Sequence, residues 1–153
     1  MFTTTSFTLE FAKEVCSWRY NDEYSIYDFP SWEIVKQDKW SIANLGKREK
    51  EFYAVIDETN KLCGFIRLQD HHNYILLGLG LKPSLCGKGH GSELMSLIIE
   101  LCNNIYSGKK ILLVVRSFNK RAIRCYEKAG FKIVEIFNKI NPHGEDEFFK
   151  MER

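Results

Sequence analysis

No stretch of this chain approaches the roughly 20 consecutive apolar residues that a membrane-spanning helix needs, so a membrane partner is not expected. Its five cysteines, at 16, 63, 86, 102 and 125, include no Cys-x-x-Cys pair. They suggest neither a zinc site nor a disulfide framework; no metal ligand set is read, and a reducing cytoplasm is the simplest setting. No single sign of charge dominates. Lys and Arg number 22 against 20 Asp and Glu, leaving +2 with no basic block, which argues against a nucleic-acid partner. The opening MFTTTSFTLE lacks a basic segment and an apolar core, so it does not read as a signal peptide. There is no linker, repeat or low-complexity tract. With 44% apolar and 27% charged residues, residues 1–153 read as one soluble domain with a core of its own.

The residues that are present alternate between helical and strand periodicity. Thr8 is placed to cap a short helix through about Trp18, with Phe11, Val15 and Trp18 on one side. The next segment, WRYNDEYSIYDFPSW, is crowded with aromatics and acids. Pro30-Ser31 opens a second short helix to about Gln37. KREKEFYAVIDETNKLCGFIRLQD reads as a hairpin, with strands at Phe52–Asp57 and Leu62–Gln69 and a turn at Glu58–Lys61. YILLGLGL (74–81) is a largely buried strand. The apolar run Leu94, Met95, Leu97, Ile98, Leu101 predicts a helix ending near Tyr106. Lys110–Arg116 is a continuous apolar strand, and Asn119–Lys128 is a helix stopped by Ala129-Gly130. The last strands are Phe131–Phe137 and Glu147–Met151, joined by a loop holding Pro142 and Gly144; a weak strand is expected at 3–8. The strand–helix–strand unit from 74 to 116 is a crossover, so its two strands are expected to be parallel within an otherwise mixed sheet.

The segment L-C-G-K-G-H-G-S-E-L (85–94) sets Gly87, Gly89 and Gly91 on alternate positions at the mouth of a helix. Glycine is a poor helix former, so the backbone there either turns through unusual dihedrals or is approached closely. A helix N-terminus presents unpaired N–H groups and partial positive charge, an anion site before any side chain is added. Lys88 adds charge and Ser92 a hydroxyl. The spacing does not fit a Walker loop, because Lys88 is followed by Gly89, nor a dinucleotide fingerprint.

LGLGLKPSLCGKGHG resembles motif A of the GCN5-related N-acetyltransferase (GNAT) superfamily, whose pattern is [QR]-x-x-G-x-[GA] after a strand ending in an apolar residue, any residue, and proline. Cys86 stands where the pattern has Gln or Arg; this departure concerns the side chain and not the backbone cradle. NKRAIRCYEKAGF (119–131) is similar to motif B, N-x-x-A-x-x-x-Y-x-x-x-G-F, matching at Asn119, Ala122, Tyr126, Gly130 and Phe131. Together the two motifs cover about residues 79–131.

The resemblance implies an α/β (α+β) fold with a central mixed sheet of six to seven strands, helices on both faces and a splayed parallel strand pair. It implies acetyl-CoA as cosubstrate. The backbone of Leu79 and Leu81 would pair with the pantetheine amides. The N–H groups from Gly87 to Ser92, with Cys86, Lys88, Gly89, His90 and Gly91 in the loop, would hold the pyrophosphate. Tyr126 would be the general acid that protonates the departing thiolate, and Asn119 would cap its helix and contact the cofactor. The reaction implied is direct transfer to a primary amine of a small molecule or peptide, with a non-catalytic CoA-binding module as the alternative.

Several readings stay open in the sequence. Asp22, Glu23, Asp28 and Asp70 are candidates for the general base by location, or solvated charges. Trp18, Tyr20, Tyr24, Tyr27, Phe29 and Trp32 either bind an amine cation or fill the core. Gly78 and Gly80 either admit a ligand or pack tightly. Cys86 and Cys125 either serve an acyl-enzyme route or are inert thiols. Exposed edge strands leave a homodimer open.

Overall fold

The computed structural model describes residues 1–142 and 144–153. Its elements are β1 (Thr3–Ser6), α1 (Leu9–Ser17), α2 (Trp32–Gln37), α3 (Leu45–Glu51), β2 (Phe52–Ile56), β3 (Leu62–Asp70), β4 (Tyr74–Leu81), α4 (Gly91–Ile105), β5 (Lys110–Arg116), α5 (Lys120–Lys128), β6 (Lys132–Asn141) and β7 (Gly144–Glu152). Short 3₁₀ turns lie at Asp22–Tyr27, Ser41–Ala43 and Pro83–Leu85. The strands form one seven-stranded sheet in the order β1-β2-β3-β4-β5-β7-β6. The chain divides into two compact units, Met1–Arg67 with Leu79–Cys86, and Leu68–Gly78 with Gly87–Arg153.

In the first unit, β1, β2 and β3 pair antiparallel, from Thr3↔Ile56 and from Phe52↔Arg67, with a register shift between Val55 and Ile56. Thr8 caps α1 as expected, its Oγ1 accepting from the Phe11 N–H at 3.2 Å. Ala12, Val15 and Cys16 then bury one face of that helix. They join an aromatic core in which Phe7 stacks on Phe52 at 5.3 Å and Phe29 meets Phe65 edge-on at 6.0 Å. Each such side chain removed from water contributes about 1.5–3 kcal/mol. The indole N–H of Trp18 is buried in this core with no hydrogen-bond acceptor among the described residues.

α3 is not anticipated by the sequence. L-G-K-R-E-K-E has no apolar stripe, so periodicity does not mark it. Asn44 caps it by accepting from the Lys47 N–H at 2.9 Å, and its one buried residue is Arg48, which donates to the Ile42 carbonyl at 3.1 Å. Beside it Arg67 forms an ion pair with Glu51 at 2.9 Å and donates to Ser41 Oγ at 3.0 Å.

In the second unit, β4 and β5 are parallel, as the crossover requires, in the register Tyr74↔Lys110 through Leu76↔Leu112. α4 buries Leu94, Met95, Ile98 and Cys102 along one face. β5 alternates: Ile111, Leu113 and Val115 are buried while Val114 is exposed, although residues 111–115 are all apolar. β5 then pairs antiparallel with β7, and β7 with β6. Most of the loop expected between residues 137 and 147 is strand: β6 runs to Asn141 and β7 starts at Gly144, with pairing from Lys132↔Glu152 to Asn141↔Gly144. Its residues are mostly exposed and polar, so burial gives no alternating signal. Cross-strand contacts hold it: Phe137 stacks on Phe148 at 5.7 Å, and Arg116 lies 4.8 Å over the Phe148 ring while pairing with Asp146.

Candidate functional site

Among the described residues, four of the five α-helices begin on a side chain that accepts a backbone N–H: Thr8, Ser31, Asn44 and Asn119. The longest, α4, begins at His90 with no side-chain cap hydrogen bond. Its first N–H groups are therefore not satisfied in the way the other helices satisfy theirs. The loop before it contains Gly87 at φ +73° and Gly89 at φ +85°. L-residues with side chains rarely adopt that region, which accounts for glycine at both positions. A β-carbon on Gly89 would have nothing within 4 Å. Gly87, Lys88, Gly89 and Ser92 are exposed, and His90 and Gly91 are half-buried. An uncapped helix entrance with an open, positive-φ glycine loop fits a phosphate group pressed against main-chain amides.

Gly91 has a different cause. A β-carbon there would lie 2.7 Å from Cys125 Sγ, so glycine is needed for α4 to approach α5. Gly87 faces α5 as well, its β-carbon position 3.4 Å from Arg121 Nη1. Arg121 and Cys125 are one turn apart on α5, and they meet two loop glycines that are also four residues apart.

α5 starts as expected, with Asn119 Oδ1 accepting from the Ala122 N–H at 3.2 Å. Tyr126 lies on the next turns, half-buried, its ring 6.2 Å from that of Phe131. Its carbonyl accepts from the N–H groups of Ala129 and Phe131, at 3.0 Å each, which closes the helix at Gly130. Burial pushes the Cys125 thiol above its ordinary range, so it is held as thiol and not as thiolate. That removes the activation an acyl-enzyme route at Cys125 would require.

In the first unit, the end of β4 is closely packed. The Phe65 ring fills the space beside Gly80, and a β-carbon on Gly64 would lie 2.7 Å from the Gly80 carbonyl oxygen. Gly80 is thus a packing glycine. The Leu81 carbonyl already accepts the Tyr20 hydroxyl at 2.8 Å. The Cys86 thiol sits 3.7 Å from the same carbonyl and 3.6 Å from that of Lys82. Burial raises the Tyr20 phenol well above its usual value, with Cys86 and Asp28 adding to the effect, so it remains a donor.

The aromatics of the N-terminal segment divide. Trp18 is core, and Tyr20, Phe29 and Trp32 pack against it, while Tyr24 and Tyr27 are half-buried on the 3₁₀ turn. The four candidate bases divide too. Asp28 accepts the Tyr20 N–H at 2.8 Å, and Asp70 pairs with Lys109 at 2.7 Å and accepts the His72 N–H, which lowers its carboxyl. Asp22 and Glu23 stand exposed on the turn. Among the described residues no three or more His, Cys, Asp or Glu are grouped to hold a metal, and no helix is long and apolar enough to cross a membrane.

The uncapped glycine entrance after β4, followed one strand later by the Asn-capped helix carrying Tyr126, is the arrangement the two motifs imply. The family model for the Acetyltransferase (GNAT) family matches residues 12–131. The chain belongs to the GNAT acetyltransferase family.

This GNAT chain is 47% identical over 51 residues to a kanamycin resistance protein of Rhizobium radiobacter, a stretch covering 33% of this chain and 47% of that one. It is 45% identical over 51 residues to an aminoglycoside N(6')-acetyltransferase type 1 of Klebsiella pneumoniae, covering 33% of this chain and 25% of that one. The match thus spans about half and a quarter of these relatives' own lengths. Among solved structures, a spermidine N-acetyltransferase from Vibrio cholerae in complex with CoA and spermine superposes with a TM-score of 0.70 at 18% identity, covering 99% of this chain and 94% of that one. The fold is shared; at that identity the likeness extends no further.

Two features of the GNAT chain's candidate site lie outside the sequence reading. Tyr20 reaches Leu81 across 61 positions, a pairing no local pattern encodes. Arg121 does leave a local trace. The first turn of α5 contains no acid and opens Lys120-Arg121, placing cations where the helix dipole disfavours them.

Proposed function

We propose that this chain moves the acetyl group of acetyl-CoA directly to a primary amine, and that the acceptor is a small amine-bearing molecule. The observation that carries the reading is the entrance of α4, uncapped and preceded by Gly87 and Gly89 at positive φ with open space around Gly89. The N–H groups from Gly87 to Ser92 hold the pyrophosphate there, joined by Lys88 and the backbone of Cys86 and His90. The main chain of Leu79 and the N–H of Leu81 line up the pantetheine arm as an added strand would. β4 continues past its paired stretch, Tyr74–Leu76, to Leu81, and extended main chain of that kind is what an added strand needs.

In the transfer, the amine nitrogen attacks the thioester carbonyl carbon, the C–S bond breaks, and the Tyr126 hydroxyl gives its proton to the leaving thiolate. The proton lost by the nitrogen passes to solvent, from which the phenolate is reprotonated. Amine and thioester become amide and thiol. The names of the relatives, an aminoglycoside acetyltransferase and a spermidine acetyltransferase, favour a polyamine-like or aminosugar acceptor over a peptide. The exposed Asp22 and Glu23 suit such a cation.

The test begins with thermal shift in CoA, acetyl-CoA and ATP. Stabilisation should follow ligand concentration for the first two only. A panel of kanamycin, spermidine and a peptide amine, read by release of free thiol, then identifies the acceptor class. Stabilisation by CoA with no thiol release on any amine favours a CoA-binding module, and stabilisation by ATP alone overturns the reading.

A further inference from the structure

The geometry points to Arg121 as a phosphate-binding residue for CoA, supplying from α5 the cation that the leading position of the glycine loop lacks. The inference rests on the reading of the α4 entrance as the CoA cradle. Cys86 stands at the loop's leading position, its thiol near the carbonyls of Leu81 and Lys82. A cysteine side chain so placed brings no positive charge to a diphosphate. The loop's own cation is Lys88, a flexible point charge on an exposed turn.

Arg121 is placed differently. Its Nη1 lies 3.4 Å from where a β-carbon on Gly87 would stand, so the guanidinium lies against the first glycine of the loop. Cys125, one turn along α5, is in tight contact with Gly91, so the stretch of helix that carries Arg121 packs against the same loop. Helix α5 therefore presents to the loop an exposed guanidinium, whose planar fork of donors matches a phosphate, from a helix and not from a turn.

A second observation is local to α5. Its first turn carries Lys120 and Arg121 and no acid. That is the end of a helix where cations are unfavourable, and a break with local preference of this kind marks function more often than stability. Lys120 has a partner in the Phe149 ring, 5.8 Å from its Nζ. The Arg121 guanidinium lies beside the glycine loop. A phosphate between the α4 entrance and the guanidinium would be met by main-chain N–H groups on one side and a bidentate cation on the other.

The experiment compares the wild type with Arg121→Gln and Arg121→Lys, using CoA titration and steady-state turnover of acetyl-CoA and S-acetylpantetheine, which lacks the phosphates. Arg121→Gln should weaken CoA binding about tenfold or more, with Arg121→Lys in between. The preference for acetyl-CoA over S-acetylpantetheine should narrow by a similar factor. The salt dependence of CoA binding should also become shallower. CoA affinity within twofold of wild type in Arg121→Gln overturns the assignment. So does an equal loss for both thioesters, since that would mark a role in shaping the loop. Melting temperatures and circular dichroism confirm that the variants are folded. A wild type that fails to bind CoA at all sinks the parent reading and this one together; a wild type that binds beside an indifferent Arg121→Gln sinks this one alone.

Discussion

The Phe65 ring occupies the space that a β-carbon on Gly80 would need: its Cζ stands 2.9 Å from that position and its Cε1 nearer still. Phe65 is itself at the centre of the aromatic core, against Phe7, Trp18, Phe29 and Phe52. It cannot yield without moving several neighbours. Gly80→Ala should therefore destabilise the protein by about 1–3 kcal/mol, even though glycine is a poor strand residue. In a Phe65→Leu background the same change should cost less, because the clashing ring is gone. Urea denaturation of the two single variants and the double variant reads the coupling. Strict additivity would show that the contact does not govern Gly80.

Asn119 is assigned two tasks that one pair of substitutions can separate. As the cap of α5 it accepts from the Ala122 N–H, and Asn119→Ala should cost about 1 kcal/mol in stability. Asn119→Asp keeps the acceptor and adds negative charge beside Lys120 and Arg121, so stability should hold or rise slightly. If Asn119 also faces the cosubstrate phosphates, the same Asp should repel them and weaken CoA binding. Thermal melts alone and with CoA give both numbers. Unchanged CoA binding in Asn119→Asp would confine the residue to capping.

How much of this was readable beforehand depends on whether the cause lay in neighbouring residues. Thr8, Ser31 and Asn119 announce their helices because a cap acts within three residues. The parallel pairing of β4 and β5 follows from the length of the crossover between them. The α4 entrance was legible because Gly87, Gly89 and Gly91 are costly in a helix mouth. Their separate reasons, positive φ for two and the Cys125 contact for the third, required coordinates. α3 was hidden because its buried face is Arg48, a residue that periodicity counts as polar. The outer half of the β6–β7 hairpin was hidden because its strands face solvent, and pairing without burial leaves no alternation. Tyr20 and Leu81 are 61 positions apart, and only the fold brings them into a hydrogen bond.

Stability should fall in alkali, and two deeply buried thiols account for a defined part of the fall that begins near pH 9. Burial raises Cys16 and Cys102 to about 11 from an ordinary 9.0, and both are nearly inaccessible, at 2% and 3% exposure. For an acid whose folded value is raised, the unfolded chain releases its proton first as pH rises. Each thiol's contribution is complete below pH 9 and is lost between about 9 and 11, at roughly 1.4 kcal/mol per pH unit inside that window. Urea unfolding at pH 7, 9 and 10.5 should show the decline. Cys102→Ala should be less stable at pH 7 through the cavity it leaves, yet its decline above pH 9 should be shallower than in the wild type. Parallel curves would show that Cys102 does not titrate across unfolding.

Tyr126 is the residue on which the proposed chemistry depends. Its helix is fixed at both ends, by the Asn119 cap and by the Ala129 and Phe131 N–H groups closing on the Tyr126 carbonyl. A phenylalanine in its place would keep the ring and its contact with Phe131 and remove the hydroxyl. Tyr126→Phe should then leave the melting temperature and the KM for acetyl-CoA within a few-fold of wild type, while kcat falls about a hundredfold or more. The loss is confined to kcat because the proton is needed only as the C–S bond breaks. A thioester of a more acidic thiol leaves with less need of a proton, so the penalty of Tyr126→Phe should shrink with such a donor. Turnover followed by amide formation tests this. An undiminished kcat, or an equal penalty for both leaving groups, would remove Tyr126 from the proton transfer.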